Sequence, residues 1–156
     1  MRKTVSLLVA VIILALSSVT FAYPAHLNGD RNYILCDGNQ GYGRYINRNS
    51  LSVKKYAPPE YIIAVEVVTV PDADMGKVKI SERVQYGFLY NYNQRKMYVI
   101  VDSDHDGYAW VYLDPNKQTS GTRVTTSIGE MAFYLAYKIP FYGKEAGFED
   151  SFYKRI

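Results

Sequence analysis

The stretch VDSDHDGYAWVYLD (101–114) holds the densest set of potential metal ligands in this sequence: Asp102, Asp104 and Asp106 at alternate positions, then Gly107. In a helix-loop-helix calcium site, oxygen ligands come from positions 1, 3 and 5, glycine at 6 permits a sharp turn, and a bidentate glutamate closes the sphere at 12. The first four requirements are met. Position 12 is Leu113, which carries no donor oxygen, and both flanks alternate like strands rather than helices. The string therefore reads first as a soluble hairpin tip, with Gly107 supplying a positive φ. A weak calcium site of three carboxylates, useful only where calcium is abundant, is the second reading; no other cofactor is expected.

Other reactive side chains are sparse. His26 precedes the first strand in a segment expected to be mobile, and His105 sits inside the acidic string. There is no G-x-S-x-G elbow, H-E-x-x-H helix or C-x-x-C pair, and the glycines at 38, 41 and 43 lie between two strand-like runs instead of ahead of a phosphate-binding helix. Glu66 and Glu82 form a carboxylate pair only if folding brings them together. The inventory points away from an enzyme. The lone Cys36, within a strand-like run, reads as a small buried apolar residue, an exposed thiol being the alternative. The pairs Lys54-Lys55 and Lys154-Arg155 lack interleaved aromatics and read as solvated surface charge, so nucleic acid is not an expected partner.

The elements that would position these groups follow an address. Arg2 and Lys3 precede an apolar run from Val5 to Leu16, and small residues stand at Thr20-Phe21-Ala22, the pattern of a secretory signal peptide cleaved after Ala22. About twelve apolar residues are too few to span a bilayer, which takes about twenty, so no retained membrane span is expected. Of 156 residues, removal of 22 leaves 134, read as one domain (23–156) in the periplasm or outside the cell. The mature chain has 16 Lys and Arg against 15 Asp and Glu, too even a balance for strong attraction to polyanions. A single cysteine provides no internal disulfide, so stability falls to the core.

From Tyr33 to Leu113, short runs rich in Val, Ile and Tyr alternate with clusters of Gly, Pro, Asn and Asp, the signature of successive antiparallel strands. Residues 33–37 and 42–47 flank a turn at 38–41. YIIAVEVVTV (61–70) places Tyr61, Ile63, Val65 and Val67 on one side, which should face the core. Val84, Tyr86, Phe88, Tyr90 and Tyr92 make one side of the next strand aromatic; residues 97–101 and 108–113 follow. Residues 114–127 read as irregular. Ser127 and Glu130 have the spacing of a capping box, predicting a helix from there that carries Ile128, Met131, Ala132, Leu135 and Ile139 on one stripe and stops at Pro140. Phe148, Phe152 and Ile156 suggest a short amphipathic strap. The predicted fold is α+β: an antiparallel β-meander of about five to six strands with a C-terminal helix packed on one face.

All 16 tyrosines lie beyond residue 22. Those of the last three strands, with the single tryptophan, nominate Tyr86, Tyr90, Tyr92, Tyr98, Tyr108, Trp110 and Tyr112 as a binding face, against the plainer reading that such rings pack beneath the helix. The run GRYINRNSLSV (43–53), then YIIAVEVVTV, QRKMYVIV…WVYLDP and EMAFYLAY, resembles small exported bacterial proteins similar to surface-adhesin protein E, with Tyr45, Ile46, Asn47, Ser50 and Leu51 at the matching step. That resemblance implies an exported sheet-plus-helix protein used for adhesive binding, although the cysteine of a lipid anchor is lacking. The expected function is a non-enzymatic, adhesin-like module of the envelope or exterior that contacts a protein or glycan. A structural or assembly protein of the envelope, joining a partner through a sheet edge, is the alternative.

Overall fold

A computed structural model describes residues 22–103 and 107–156. The leader up to residue 21, and with it the predicted cleavage signal, lies outside them. So do Asp104, His105 and Asp106 and the side chain of Asp102, which places the calcium reading of this turn beyond what the structure describes.

The architecture is α+β. One antiparallel sheet comprises β1 (Tyr33–Asn39), β2 (Tyr42–Asn47), β3 (Ser52–Ala57), β4 (Glu60–Val70), β5 (Glu82–Asn91), β6 (Lys96–Ser103) and β7 (Gly107–Tyr112). Its order is β1-β2-β4-β5-β6-β7, with β3 also paired to β4. Seven strands thus replace the expected five to six, and one departs from a plain meander. β4 is long enough to hold β2 against its residues 67–70 and β3 against its residues 60–64, along the same edge. The two short strands are joined at a corner built by Asn47 and Ser50. Ser50 Oγ donates to Asn47 O at 2.7 Å and accepts the backbone N–H of Glu66 at 2.7 Å, while Asn47 Nδ2 donates to Glu66 Oε1 at 3.0 Å. The first hairpin turns at Gln40 and Gly41, with φ of 51° and 83°, the pair of left-handed residues that a tight two-residue turn demands.

Helix α1 (Ser120–Tyr137) covers one face of the sheet, and a short α2 (Asp150–Tyr153) follows in the C-terminal strap. The predicted cap at Ser127 is corrected by eight residues. Thr119 is the N-cap, forming a reciprocal box with Thr122. Ser127 instead donates its hydroxyl to Arg123 O, as Thr125 and Thr126 donate to Gly121 and Thr122, so a Thr/Ser-rich segment of poor helix propensity is satisfied within the helix. Glu130, the supposed partner of Ser127, is fully buried and accepts from the N–H groups of Phe141, Tyr142 and Gly143 and from the hydroxyl of Tyr153. The carboxylate caps the start of the strap, not the helix that carries it.

The main core lies between α1 and the inner sheet face: Ile63, Val65 and Val67 of β4, Phe88 and Tyr90 of β5, Met97 and Val99 of β6, with Ile128, Met131, Ala132 and Phe133 from the helix. The odd side of β4 faces this core, as its alternation predicts. A second, smaller core on the outer face gathers Leu27, Leu35, Tyr45, Val68, Val70 and Ala73. It is closed partly by residues 23–30. That segment, expected to be mobile, is paired: His26 bridges to Ile34, Leu35 N–H donates to Ala25 O, and the Tyr23 hydroxyl accepts from Gly41 N–H at 2.8 Å.

Candidate functional site

The seven nominated rings do not share a face. Register pairs Phe88 with Val99 and Tyr90 with Met97, and these four point toward α1. Tyr98 pairs with Tyr112, Ile100 with Trp110, and Tyr108 lies opposite position 102, which sets Tyr98, Ile100, Tyr108, Trp110 and Tyr112 on the opposite side of the sheet.

Tyr86, Tyr90 and Tyr92 thus belong to the helix side. Tyr90 is fully buried, donates its hydroxyl to Gly129 O at 2.8 Å, and has a phenol pushed well above its ordinary value by burial and then by the charge of Glu130. Tyr92 stacks on Phe133 at 5.9 Å, and Tyr86 on Phe88 at 6.0 Å. Their close fit to the helix rests on Gly129: a Cβ there would lie 2.4 Å from Met97 Sδ and 3.0 Å from the Phe88 ring. These three rings serve the core.

The other four form an open surface. Tyr108 is 76% exposed, and Trp110 and Tyr112 are each 40% exposed, while Tyr98 is half-buried with its ring 5.4 Å from that of Tyr112. Burial and then the charge of Asp114 push the Tyr112 phenol up. Aliphatic side chains extend the surface toward the sheet centre: Ile100 of β6, Leu89 of β5 and Ile62 of β4, all half-buried and on the outer face by register. Ile100 lies over Gly87, where a Cβ would come within 2.9 Å of its Cγ2. A polar belt of Asn47, Glu66 and Arg83 separates this surface from the small outer core, with Arg83 Nη1 donating to Glu66 Oε1 at 2.9 Å. Sequence reasoning missed Ile62, Leu89 and Ile100. Their signal was the aliphatic residue on the side of each strand opposite the one assigned to the core.

The carboxylate pair weighed from the sequence, Glu66 with Glu82, is not assembled. Glu66 pairs with Gln85 and Glu82 with Thr69, an odd number of positions apart along β4, so the two carboxylates project from opposite faces. Among the described residues, no three His, Cys, Asp or Glu side chains converge in a way that could hold a metal ion. Burial pushes the Cys36 thiol up to about 12, which makes it a poor nucleophile. No helix among the described residues is long and apolar enough to cross a membrane. No family model, curated protein or solved structure matches this chain.

Proposed function

We propose that this chain is an exported, non-enzymatic binding module that engages a protein or glycan through the outer face of β6 and β7, with Tyr98, Tyr108, Trp110 and Tyr112 in contact. One observation carries this reading: an aromatic and aliphatic surface stays exposed on the outer face of β6 and β7 among the described residues, whereas α1 packs over the opposite side of the sheet at β4, β5 and the first half of β6. Exposed apolar patches of this kind mark recognition sites, and Tyr and Trp combine a broad apolar area with a polar edge at low conformational cost. The apolar leader supports export, and the resemblance to surface-adhesin protein E implies the same class of role. Trp110 is the only tryptophan, so its emission reports directly on this surface. The test is a pull-down of envelope and medium components with the mature chain, repeated with Trp110→Ala and Tyr112→Ala combined, and a fluorescence titration of each captured ligand. Loss of capture in the double variant and a shifted Trp110 emission support the reading. Capture that survives the substitutions, or turnover of a captured molecule, overturns it.

A second reading, assembly through strand addition, is favoured by β7 itself. Among the described residues no strand pairs with its outer edge, all six of its residues are exposed, and none is charged or proline. Sheet edges left in that state accept further strands. Concentration-dependent association abolished by Val111→Lys would support edge pairing; a monomer at every concentration would rule it out.

A further inference from the structure

At the other end of the strand order, away from the aromatic surface, a cleft of about 560 Å³ opens between β1, the first two turns of α1 and the C-terminal strap. Its volume lies within the range of small-molecule sites. Val124, Phe148 and Phe152 form an apolar wall, and Ser120 and Ser151 line it with hydroxyls.

Two guanidinium groups border this cleft. Arg123 is exposed on α1. Arg155 is half-buried, donates from Nη1 to Leu35 O at 3.0 Å, and lies 5.2 Å from the centre of the Phe152 ring. Among the described residues neither has an ion-pair partner, because the one acidic side chain on the β1 wall, Asp37, is engaged by Arg44 at 3.3 Å. Burial accordingly lowers the affinity of Arg155 for its proton relative to a free arginine. Asp37 acts on Arg155 only from beyond ion-pair distance, so this half-buried cation lacks a direct carboxylate partner among the described residues, and a planar guanidinium is suited to two parallel hydrogen bonds with one. The exposed Glu149 on the rim leaves the pair of arginines with one net positive charge, which matches a monoanion better than a doubly charged phosphate.

From this geometry we infer that the cleft binds a small carboxylate with an apolar body, its carboxylate held by Arg123 and Arg155 and its body against Val124, Phe148 and Phe152. A free organic acid and the C-terminus of a peptide share that chemistry. The site is independent of the aromatic surface, and its occupancy does not involve Trp110.

The test is a titration of the full mature chain, followed by backbone amide NMR, with N-acetyl-phenylalanine, its C-terminal amide, a short peptide ending in phenylalanine, and inorganic phosphate. The acid produces saturable shifts confined to residues 36–39, 120–127 and 147–155, and the amide binds at least about tenfold more weakly, the usual worth of a charged hydrogen-bonded contact. Arg123→Ala weakens the acid by a similar factor with the melting temperature unchanged, since Arg123 is exposed and makes no contact the fold requires. Arg155→Lys, which keeps a donor near Leu35, weakens it as well. Tighter binding of the peptide than of the acid assigns the source to a chain terminus, and equal binding assigns it to a free acid. Absence of saturable shifts, equal binding of acid and amide, or preference for phosphate overturns the proposal.

Discussion

The phenol of Tyr153 donates a 2.7 Å hydrogen bond to the carboxylate of Glu130, joining the last helix of the chain to the middle of α1. The same carboxylate accepts three backbone N–H groups, from Phe141, Tyr142 and Gly143, at 2.8 to 3.2 Å. Tyr142 in turn donates its hydroxyl to Leu113 O and accepts the N–H of Met97, so one cluster ties the strap to α1, β6 and the segment after β7.

Removing the carboxylate strands those donors in the core. Glu130→Ala should destabilise the protein by about 3–5 kcal/mol, because three buried N–H groups and one hydroxyl lose their acceptor together at about 1–3 kcal/mol for each donor left unpaired. Glu130→Gln, which keeps one acceptor oxygen, should cost less. Urea unfolding measures both, and an alanine variant within about 1 kcal/mol of the parent would show that the strap does not depend on this residue.

Two helix glycines should respond in opposite directions. Gly129→Ala drives a methyl into Met97 and Phe88 and should cost about 1–3 kcal/mol. Gly121→Ala meets open space in the first turn and should add a few tenths to about 1 kcal/mol by restricting the unfolded chain. Paired thermal melts report the contrast. Equal signs would mean that α1 does not sit at the described distance from β5 and β6.

Ser50 is the hinge of the corner between β2 and β3. Ser50→Ala leaves the Glu66 N–H without its acceptor and should cost about 1–2 kcal/mol. Hydrogen exchange at Glu66 should accelerate selectively, and an unchanged exchange rate would exclude the bridging role.

The Cys36 thiol should be inert in the folded state. Burial raises it to about 12, so iodoacetamide in mildly alkaline buffer should label it only after denaturant is added. Rapid labelling of the native protein would place the thiol at the surface.

Stability should fall in alkali. Cys36, Tyr90 and Tyr153 all have protons held more tightly in the folded chain than at the ordinary thiol and phenol values of 9.0 and 10.0, with burial the leading cause in each. Their contribution is therefore complete below about pH 9. Above that, the unfolded chain releases protons first, and stability declines as pH climbs toward the raised folded values, by at most about 1.4 kcal/mol per pH unit for each group. Urea midpoints followed together with tyrosinate absorbance test this. A midpoint constant to about pH 11 would refute it.

Much of the sheet was legible because a strand declares itself locally. Tyr61 to Val67 alternate with period two, residues 38–41 carry turn residues, and each feature needs only its neighbours to be read. The helix was legible only in its second half. Ile128 to Phe133 show a buried stripe, whereas Thr122, Thr125, Thr126 and Ser127 look like loop until their hydroxyls are seen bonded to carbonyls one turn back. Ser127 and Glu130 had the right spacing for a cap, but tertiary packing drew the carboxylate to the strap instead.

By itself, the sequence determined an alternating antiparallel sheet, a late helix and an excess of tyrosine on the last strands. Tertiary structure alone decided which tyrosines are covered. Tyr90 and Trp110 are both aromatic residues on alternating strands, and periodicity separates the two faces of a sheet without saying which one the next helix will cross. The path from Leu113 to Thr119 carries α1 over Tyr90, and no segment among the described residues returns over Trp110. That choice depends on contacts between residues far apart in the chain, where the free energy of burying one face or the other is settled and no local pattern records it.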